Sequence, residues 1–253
     1  MNLKLHPDFK GKKALLQNLI KNFATSGKKF DDRKRNQIKL FDFEGKTINI
    51  KSFKKPNLVN KFVYRYFRKS KARRSFEFAN YLIENGIGTP QPIAFFENYD
   101  IIGLKESYYL SEHLNCDLTF RELVQNPEFP ENEIILRQFT RFCYQLHQKG
   151  IEFLDHSPGN TLIKKNESAL YNFYLVDLNR MKFHKKMDFD LRMKNLRRLT
   201  PKKEMIAIMS NEYAKVSGEK EEVIFDSLWK HTADFQYRFQ RKKRLKKKLK
   251  FWK

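Results

Sequence analysis

The sequence predicts an α+β chain in two lobes, a small antiparallel β-rich lobe with one long helix and then a mainly helical lobe. Three observations predict it. Strand-forming runs are concentrated between residues 37 and 112. One amphipathic stretch, Ser70 to Asn85, interrupts them with helical spacing. Beyond Asp117 the 3.6-residue period dominates. The chain has 253 residues, 40% of them hydrophobic and 15% aromatic, with 24 Phe. That is enough apolar material to bury a core, and it excludes a disordered basic arm.

Taken in order, residues 1 to about 30 read as a basic, weakly helical segment. Ala14, Leu15, Leu16, Leu19, Ile20 and Phe23 form its short apolar stripe. QIKLFDFEGKTINIKSF (37–53) is two strand-like runs around Glu44-Gly45-Lys46, a hairpin turn, and Lys51 ends the second run. Residues 61–75 then carry seven Lys or Arg and no acid, with Phe62, Tyr64, Tyr66 and Phe67 interleaved. This segment fits a nucleic-acid surface that stacks bases on aromatics. It fits better a basic helix whose aromatics face the core, or a membrane-facing version of that helix. In the helix that follows, Phe76, Ala79, Leu82 and Ile83 share a face, Glu77 stands beside Phe76, and Gly86 terminates it. GTPQPI is extended, because proline biases the residue before it away from helix. IAFFEN and SYYLSEHL read as strands.

The second lobe is expected to begin near Ser111 to Asp117, giving lobes of 1–112 and 113–240 and a basic tail of 241–253. Its strongest helix lies within Pro127 to Gly150, with Ile135, Phe139, Phe142, Cys143 and Leu146 on one face. IEFL, TLIKK and LYNFYLV are short strands. From Asp188 to about 240 the sequence is helical and polar, with Leu191, Leu196, Leu199, Ile206, Met209 and Tyr213 as core positions. RFQRKKRLKKKLKFWK (238–253) ends the chain with ten Lys or Arg and no acid.

The formal charge of +23 points to an anionic partner, whether nucleic acid, phospholipid surface or phosphorylated substrate. Basic clusters with Trp and Phe suit an anionic membrane surface, at about 1 kcal/mol per cation near it. Cys116 and Cys143 lack metal-site spacing and read as reduced thiols of a cytosolic protein. No apolar run approaches the roughly 20 residues of a membrane span, and the N-terminus has no signal-peptide core. The expected location is cytoplasmic, with peripheral attachment to a membrane.

The chemistry concentrates in GIEFLDHSPGNTLIKKNESALYNFYLVDLNR (150–180). Its order is strand, Asp155, Asn160 five residues later, two strands, and Asp177. A kinase catalytic loop has this layout. An Asp accepts the proton of the attacking hydroxyl, and an Asn and a second Asp hold Mg²⁺ against the nucleotide phosphates. Mg²⁺ takes hard oxygen ligands, which an amide and a carboxylate supply. Lys51 on a strand and Glu77 on a following helix fill, in order, the slots of the lysine that grips the α/β-phosphates and the acid that fixes it. Glu112, within SYYLSEHL, completes the candidate cofactor-binding set of Lys51, Glu77, Glu112, Asn160 and Asp177.

The segments KSFKKPNLVNKFVYRYFRKSKARRSFEFANYLIENGIGTPQPIAFFE, LDHSPGNTLI and LVDLNRMKF resemble the lipopolysaccharide kinase family, sugar kinases acting on Kdo or heptose of the lipid A inner core. The resemblance covers roughly residues 30 to 200. It implies a protein-kinase-like two-lobed fold, ATP and Mg²⁺ as cofactors, and a Kdo–lipid A glycolipid acceptor at the cytoplasmic membrane face. It implies Asp155 as catalytic base, Asn160 and Asp177 as metal ligands, and Lys51 with Glu77 as the phosphate-anchoring pair.

The sequence departs from the protein-kinase pattern in three places. KKFDDRKRNQIKL has no glycine where a Gly-rich loop would cover the phosphates, so a tight turn near Asp32 to Asn36, with Arg33 or Arg35, is expected instead. Phe153 stands two before Asp155 where His is common, and Asp177 is followed by Leu178-Asn179. His156 is expected to be structural or to line the loop, and Arg180 to organise the site. The competing readings are a protein or small-molecule kinase of the same fold, a pseudokinase, and, from another class, a basic RNA- or DNA-binding protein. Nucleic acid is the less favoured partner.

Overall fold

The computed structural model describes residues 2–30, 36–168 and 170–250. The chain divides into two compact units, Met1–Asn115 with Val176–Asn179, and Cys116–Leu175 with Arg180–Lys253.

The first unit is an antiparallel sheet with helices attached. Its elements are β1 (Asn2–Leu5), a 3₁₀ turn (Pro7–Lys12), α1 (Lys13–Lys21), β2 (Lys28–Lys29), β3 (Gln37–Phe43), β4 (Lys46–Ser52), α2 (Leu58–Tyr66), α3 (Lys71–Glu84), β5 (Pro92–Tyr99) and β6 (Leu104–Glu112). The strands run in the order β1-β5-β6-β4-β3-β2. β3 and β4 pair through a two-residue turn, with Phe43 opposite Lys46. Glu44 and Gly45 both have positive φ, 53° and 77°. That is the type I′ geometry whose twist matches the strands it joins. Alternation along β4 buries Ile48 and Ile50 with Leu16, Ile20 and Phe23 of the α1 region. Phe53, Ala72, Phe76 and Phe95 form a separate cluster on α3.

Expectations for this unit change at two elements and at two single positions, since Leu15 and Ile83 of the expected apolar faces are exposed. Asn2–Leu5 is a strand paired with β5, not part of a helical segment. Its alternation, Leu3 and Leu5 against Asn2 and Lys4, is too short to register as a period. The basic stretch is also not one helix with its aromatics in the core. It is two helices broken at residues 67–70, and Phe62, Tyr66 and Phe67 are exposed. Ser70 restarts the chain as N-cap of α3, its hydroxyl accepting the Arg73 N–H at 3.0 Å.

The second unit is mainly helical. It comprises β7 (Leu118–Thr119), α4 (Phe120–Gln125), α5 (Asn132–Gln148), β8 (Ile151–Phe153), a 3₁₀ turn (Pro158–Asn160), β9 (Thr161–Lys165), β10 (Tyr171–Leu175), β11 (Met181–Phe183), α6 (Phe189–Leu196), α7 (Lys203–Ser217) and α8 (Glu221–Lys250). β10-β9-β7 form one small sheet and β11-β8 another. All five predicted core residues of α5 are buried. Phe139 is central, with ring centroids 4.3 Å from Phe120 and 5.4 Å from Phe173. Both cysteines are free thiols. Of the tail, residues up to Lys250 continue α8, and Phe239 and Leu245 are exposed. Phe251 and Trp252 lie outside the described residues. No helix among the described residues is long and apolar enough to cross a membrane.

Candidate active site

In the first unit the site is built on β4. Alternation places Lys51 on the face opposite Ile50, with Tyr109 as its neighbour across the strand pair. Its ammonium lies 2.7 Å from Asp177 Oδ1. The Lys51 side chain is only 12% exposed, so the pair is held where solvent screens it weakly. The Phe53 ring adds a cation–π contact at 5.4 Å.

Asp177 has φ of +60°, a left-handed conformation that costs a non-glycine residue energy unless its surroundings impose it. Two contacts on the following residues help impose it. Asn179 Nδ2 donates to Asp177 Oδ1 at 2.7 Å. Arg74 of α3 donates from Nη1 to the Asn179 carbonyl at 2.6 Å.

Among the described residues Lys51 and Glu77 are not brought together. Glu77 accepts from Lys69 Nζ at 2.9 Å and from Arg73 Nε at 2.9 Å. Burial disfavours its charge, but Lys69 and Arg73 offset this and hold the carboxyl below its ordinary range. The reason is local, since Arg73 is the i−4 neighbour on the same helix face. The acid on Lys51 is Asp177, and α3 reaches the Asp177 segment through Arg74, one turn before Glu77. Glu112 closes β6, where its carboxylate accepts from Lys46 Nζ at 2.9 Å and its N–H donates to the Gln91 carbonyl at 2.9 Å. The expected phosphate-covering turn falls on residues 31–35, Arg33 and Arg35 among them, which lie outside the described residues. At its edge, Asn36 Oδ1 accepts the Lys54 N–H at 3.2 Å.

In the second unit Asp155 follows β8 directly. β8 is fixed by pairing with β11, and the Leu154 N–H continues that pairing onto the Arg180 carbonyl at 3.0 Å. The Asp155 carbonyl then accepts the Ser157 N–H at 2.7 Å and Asn160 Nδ2 at 2.8 Å. Five-residue spacing therefore folds Asn160 back onto Asp155 through the 3₁₀ turn. With its amide nitrogen on the loop, Asn160 presents Oδ1 as a hard oxygen donor. The Asp155 carboxylate is held by Arg198, Nη1 to Oδ1 at 2.7 Å, and Arg198 also reaches the Leu154 carbonyl at 3.2 Å. Arg180 contributes its carbonyl, and its side chain is exposed.

His156 is fully buried, with ring centroids 5.4 Å from Phe153 and 5.8 Å from Phe139. Neither ring nitrogen has a partner in normal hydrogen-bond geometry among the described residues, and the Asn195 side chain favours the charged ring without reversing the effect of burial. Burial, aided by the Arg198 charge, pushes its pKa down to about 4. It is a neutral core imidazole. Phe153, in the place where His is common, is likewise buried.

Sequence reasoning missed Arg74 and Arg198. Arg74 carried a weak signal, lying one helical turn before Glu77 on the same face. Arg198 carried none, since RRLT is one basic pair among many in a chain with 52 Lys and Arg.

Residues 26–218, well over half of the chain, match the lipopolysaccharide kinase (Kdo/WaaP) family. The chain belongs to that family. The solved structure titled "WaaP in complex with acyl carrier protein" superposes on 95% of this chain and 99% of its own with a TM-score of 0.65, at 16% identity. At that identity the likeness shows the fold, which is protein-kinase-like. A urease accessory protein UreD of Aliarcobacter butzleri (strain RM4018) is 25% identical over 114 residues. That alignment takes in 44% of this chain and 45% of the relative, so the chain spans less than half the length of the protein it matches.

Proposed function

We propose that the protein transfers the terminal phosphoryl group of ATP to a sugar hydroxyl of the lipopolysaccharide inner core, with Kdo on a lipid A precursor as acceptor. The observation that carries this is the Lys51–Asp177 ion pair at 2.7 Å, with Asp177 in a left-handed backbone, inside a kinase family match. A structural surface pair would need neither a strained aspartate nor a lysine withdrawn from solvent.

In this reading Lys51 binds the nucleotide phosphates, and Glu112, at the end of β6, contacts the nucleotide. Asp177 and Asn160 are each oxygen donors of the kind Mg²⁺ takes, and the bound ion would neutralise phosphate charge. Asp155, oriented by Arg198, accepts the proton of the sugar hydroxyl as that oxygen attacks. Positioning and charge stabilisation account for the catalysis. Glu77, already paired with Lys69 and Arg73, joins the phosphate-anchoring group only by exchanging those partners for Lys51. A net charge of +23 suits an acceptor that bears carboxylates and phosphates on an anionic surface, and the basic end of α8 suits attachment to the inner face of the cytoplasmic membrane. The WaaP structure was solved with acyl carrier protein, and we extend a carrier-protein partner to this chain as part of the same reading.

The test is incubation of the protein with ATP, Mg²⁺ and Kdo–lipid A, read by mass spectrometry for one added phosphate. The expected product forms with the native chain and not with Asp155→Ala. No phosphate on any Kdo- or heptose-bearing acceptor, or equal turnover by the variant, refutes the reading.

A further inference from the structure

We infer that α2 and the tip of the β5–β6 hairpin form one membrane-docking surface, inserting apolar side chains into an anionic phospholipid bilayer. The inference goes beyond the phosphotransfer reading and does not rest on it.

The observation is a helix turned inside out. In α2 no residue is fully buried. Most of its apolar side chains point away from the protein, with Leu58 66%, Val59 72% and Tyr66 60% exposed, and Phe67, just past its end, 77% exposed. On a 3.6-residue helix, positions 58, 59, 62 and 66 fall within about a third of a turn, so they make one stripe. The inward side is thin: Val63 and Tyr64 are half-buried there, and they share it with a lysine. Lys61 is 18% exposed and pairs with Asp100 at 2.5 Å. A helix held to its protein by burial would show the reverse arrangement.

The hairpin tip extends the same apolar surface. It exposes Ile101 at 96% and Ile102 at 50%. Arg65 Nη1 donates to the Asp100 and Ile101 carbonyls at 3.0 and 2.7 Å. Gly103 permits close approach, since a Cβ there would stand 2.4 Å from the Lys61 carbonyl oxygen. Helix and tip are therefore fastened by ionic and backbone contacts, while their apolar side chains face solvent.

Charge selects the occupant. Residues 54–75 hold nine Lys or Arg and no acid. Beside α2 a cavity of about 260 Å³ is lined by Lys54, Lys55 and Lys71 together with apolar Phe53, Pro56 and Leu104, a mixed lining that suits a lipid headgroup, and Lys55 also pairs with Glu106 at 3.0 Å. An apolar stripe rimmed by cations is the pattern of a helix lying in a membrane interface, and attraction to anionic lipid adds to the burial of the stripe. An acidic protein partner would use the cations but leave Ile101 and Phe67 without a reason to protrude.

The test is co-sedimentation of the full chain with vesicles of phosphatidylglycerol and phosphatidylethanolamine in equal parts. Val59→Ser, Phe67→Ser and Ile101→Ser combined change only exposed side chains, and a thermal melt checks the fold. We expect at least a tenfold loss of vesicle binding with the melt unchanged. The native chain carries two tryptophans. Ile101→Trp, in an otherwise native chain, is expected to add emission that bromine-labelled acyl chains quench. Vesicle binding that is unchanged in the triple variant overturns the inference. So does an absence of bromine quenching of that added emission on bound protein, or selective loss of acyl carrier protein binding with vesicle binding kept. Deleting residues 241–253 is expected to weaken binding further without abolishing the effect of the triple variant. If the deletion abolishes that effect, the inference also fails.

Discussion

Asp177 in the first unit and Asp155 in the second each pair with a cation at 2.7 Å, but the two pairs are built differently. Lys51 offers Asp177 a compact charge with three rotatable donors, and the aspartate sits in a strained backbone held by Asn179 and Arg74. Arg198 offers Asp155 a rigid fork that also ties down the Leu154 carbonyl, on a backbone already fixed by β8 and β11. The first pair is suited to exchange, because a phosphate can replace the carboxylate on the ammonium. The second is suited to holding one carboxylate oxygen still.

The largest effect that would break this comparison is on kcat. Asp155→Ala is expected to lower it by about 10²–10⁴-fold, the usual worth of a general base. Parallel kinetics on Lys51→Ala and Arg198→Ala then separate the two pairs. Loss of Lys51 should raise KM for ATP and lower kcat/KM by about 10²-fold or more, as expected for a removed phosphate-stabilising charge. Loss of Arg198 should lower kcat by up to about 10²-fold through misorientation, with KM for ATP unchanged. If both variants raise that KM equally, the distinction between exchanging and holding pairs is wrong.

The units should also differ in acid. The second holds two buried neutral imidazoles. His147 donates from Nε2 to Asn195 Oδ1 at 3.3 Å and accepts the Tyr213 hydroxyl at Nδ1 at 2.9 Å. Burial lowers its pKa to about 3, and that of His156 to about 4. Unfolded imidazoles titrate near 6.5. Between that value and the folded ones the unfolded chain binds more protons. Stability is therefore full above about pH 6.5 and falls as the pH drops toward 4, by about 3 kcal/mol for each histidine. Thermal melting across that range should show the fall. His156→Phe, set among Phe139 and Phe153, should flatten it while keeping the neutral-pH midpoint. An unaltered acid slope would move the sensitivity to other groups.

The smallest effect concerns helix starts. Ser70 caps α3 from a fully buried position, and Asp188 caps α6 from an exposed one, accepting the Leu191 N–H at 2.8 Å. Each alanine variant should cost about 1 kcal/mol. Ser70→Ala should also weaken ATP binding, because α3 carries Arg74 to the Asp177 segment. Equal effects of both variants on ATP binding would remove α3 from the site.

Much of the fold was legible. The β3–β4 hairpin, α3 and α5 are local patterns, and Ile135, Phe139, Phe142, Cys143 and Leu146 lie where their spacing puts them. β1 was not legible, because four residues with two leucines do not make a period and their partner strand is some ninety residues away. Of the site, Asp155 and Asn160 came from five-residue spacing, which one turn of chain converts into contact. The contact that Lys51 makes in this structure, with Asp177 and not Glu77, was not legible, since several acids could satisfy one lysine and order along the chain does not rank them.

By itself the sequence determined most of the helices and the longer strands, which residues are oxygen donors and cations, and that the whole carries a charge of +23. These follow from periodicity and composition, which are properties of neighbours. Only the tertiary structure decided that Lys51 pairs with Asp177, that Arg198 holds Asp155, that Glu77 is taken by Lys69 and Arg73, and that α2 turns its apolar face outward. Those choices depend on which charged groups a folded backbone brings within about 3 Å, and an ion pair falls off over distances that sequence separation does not measure.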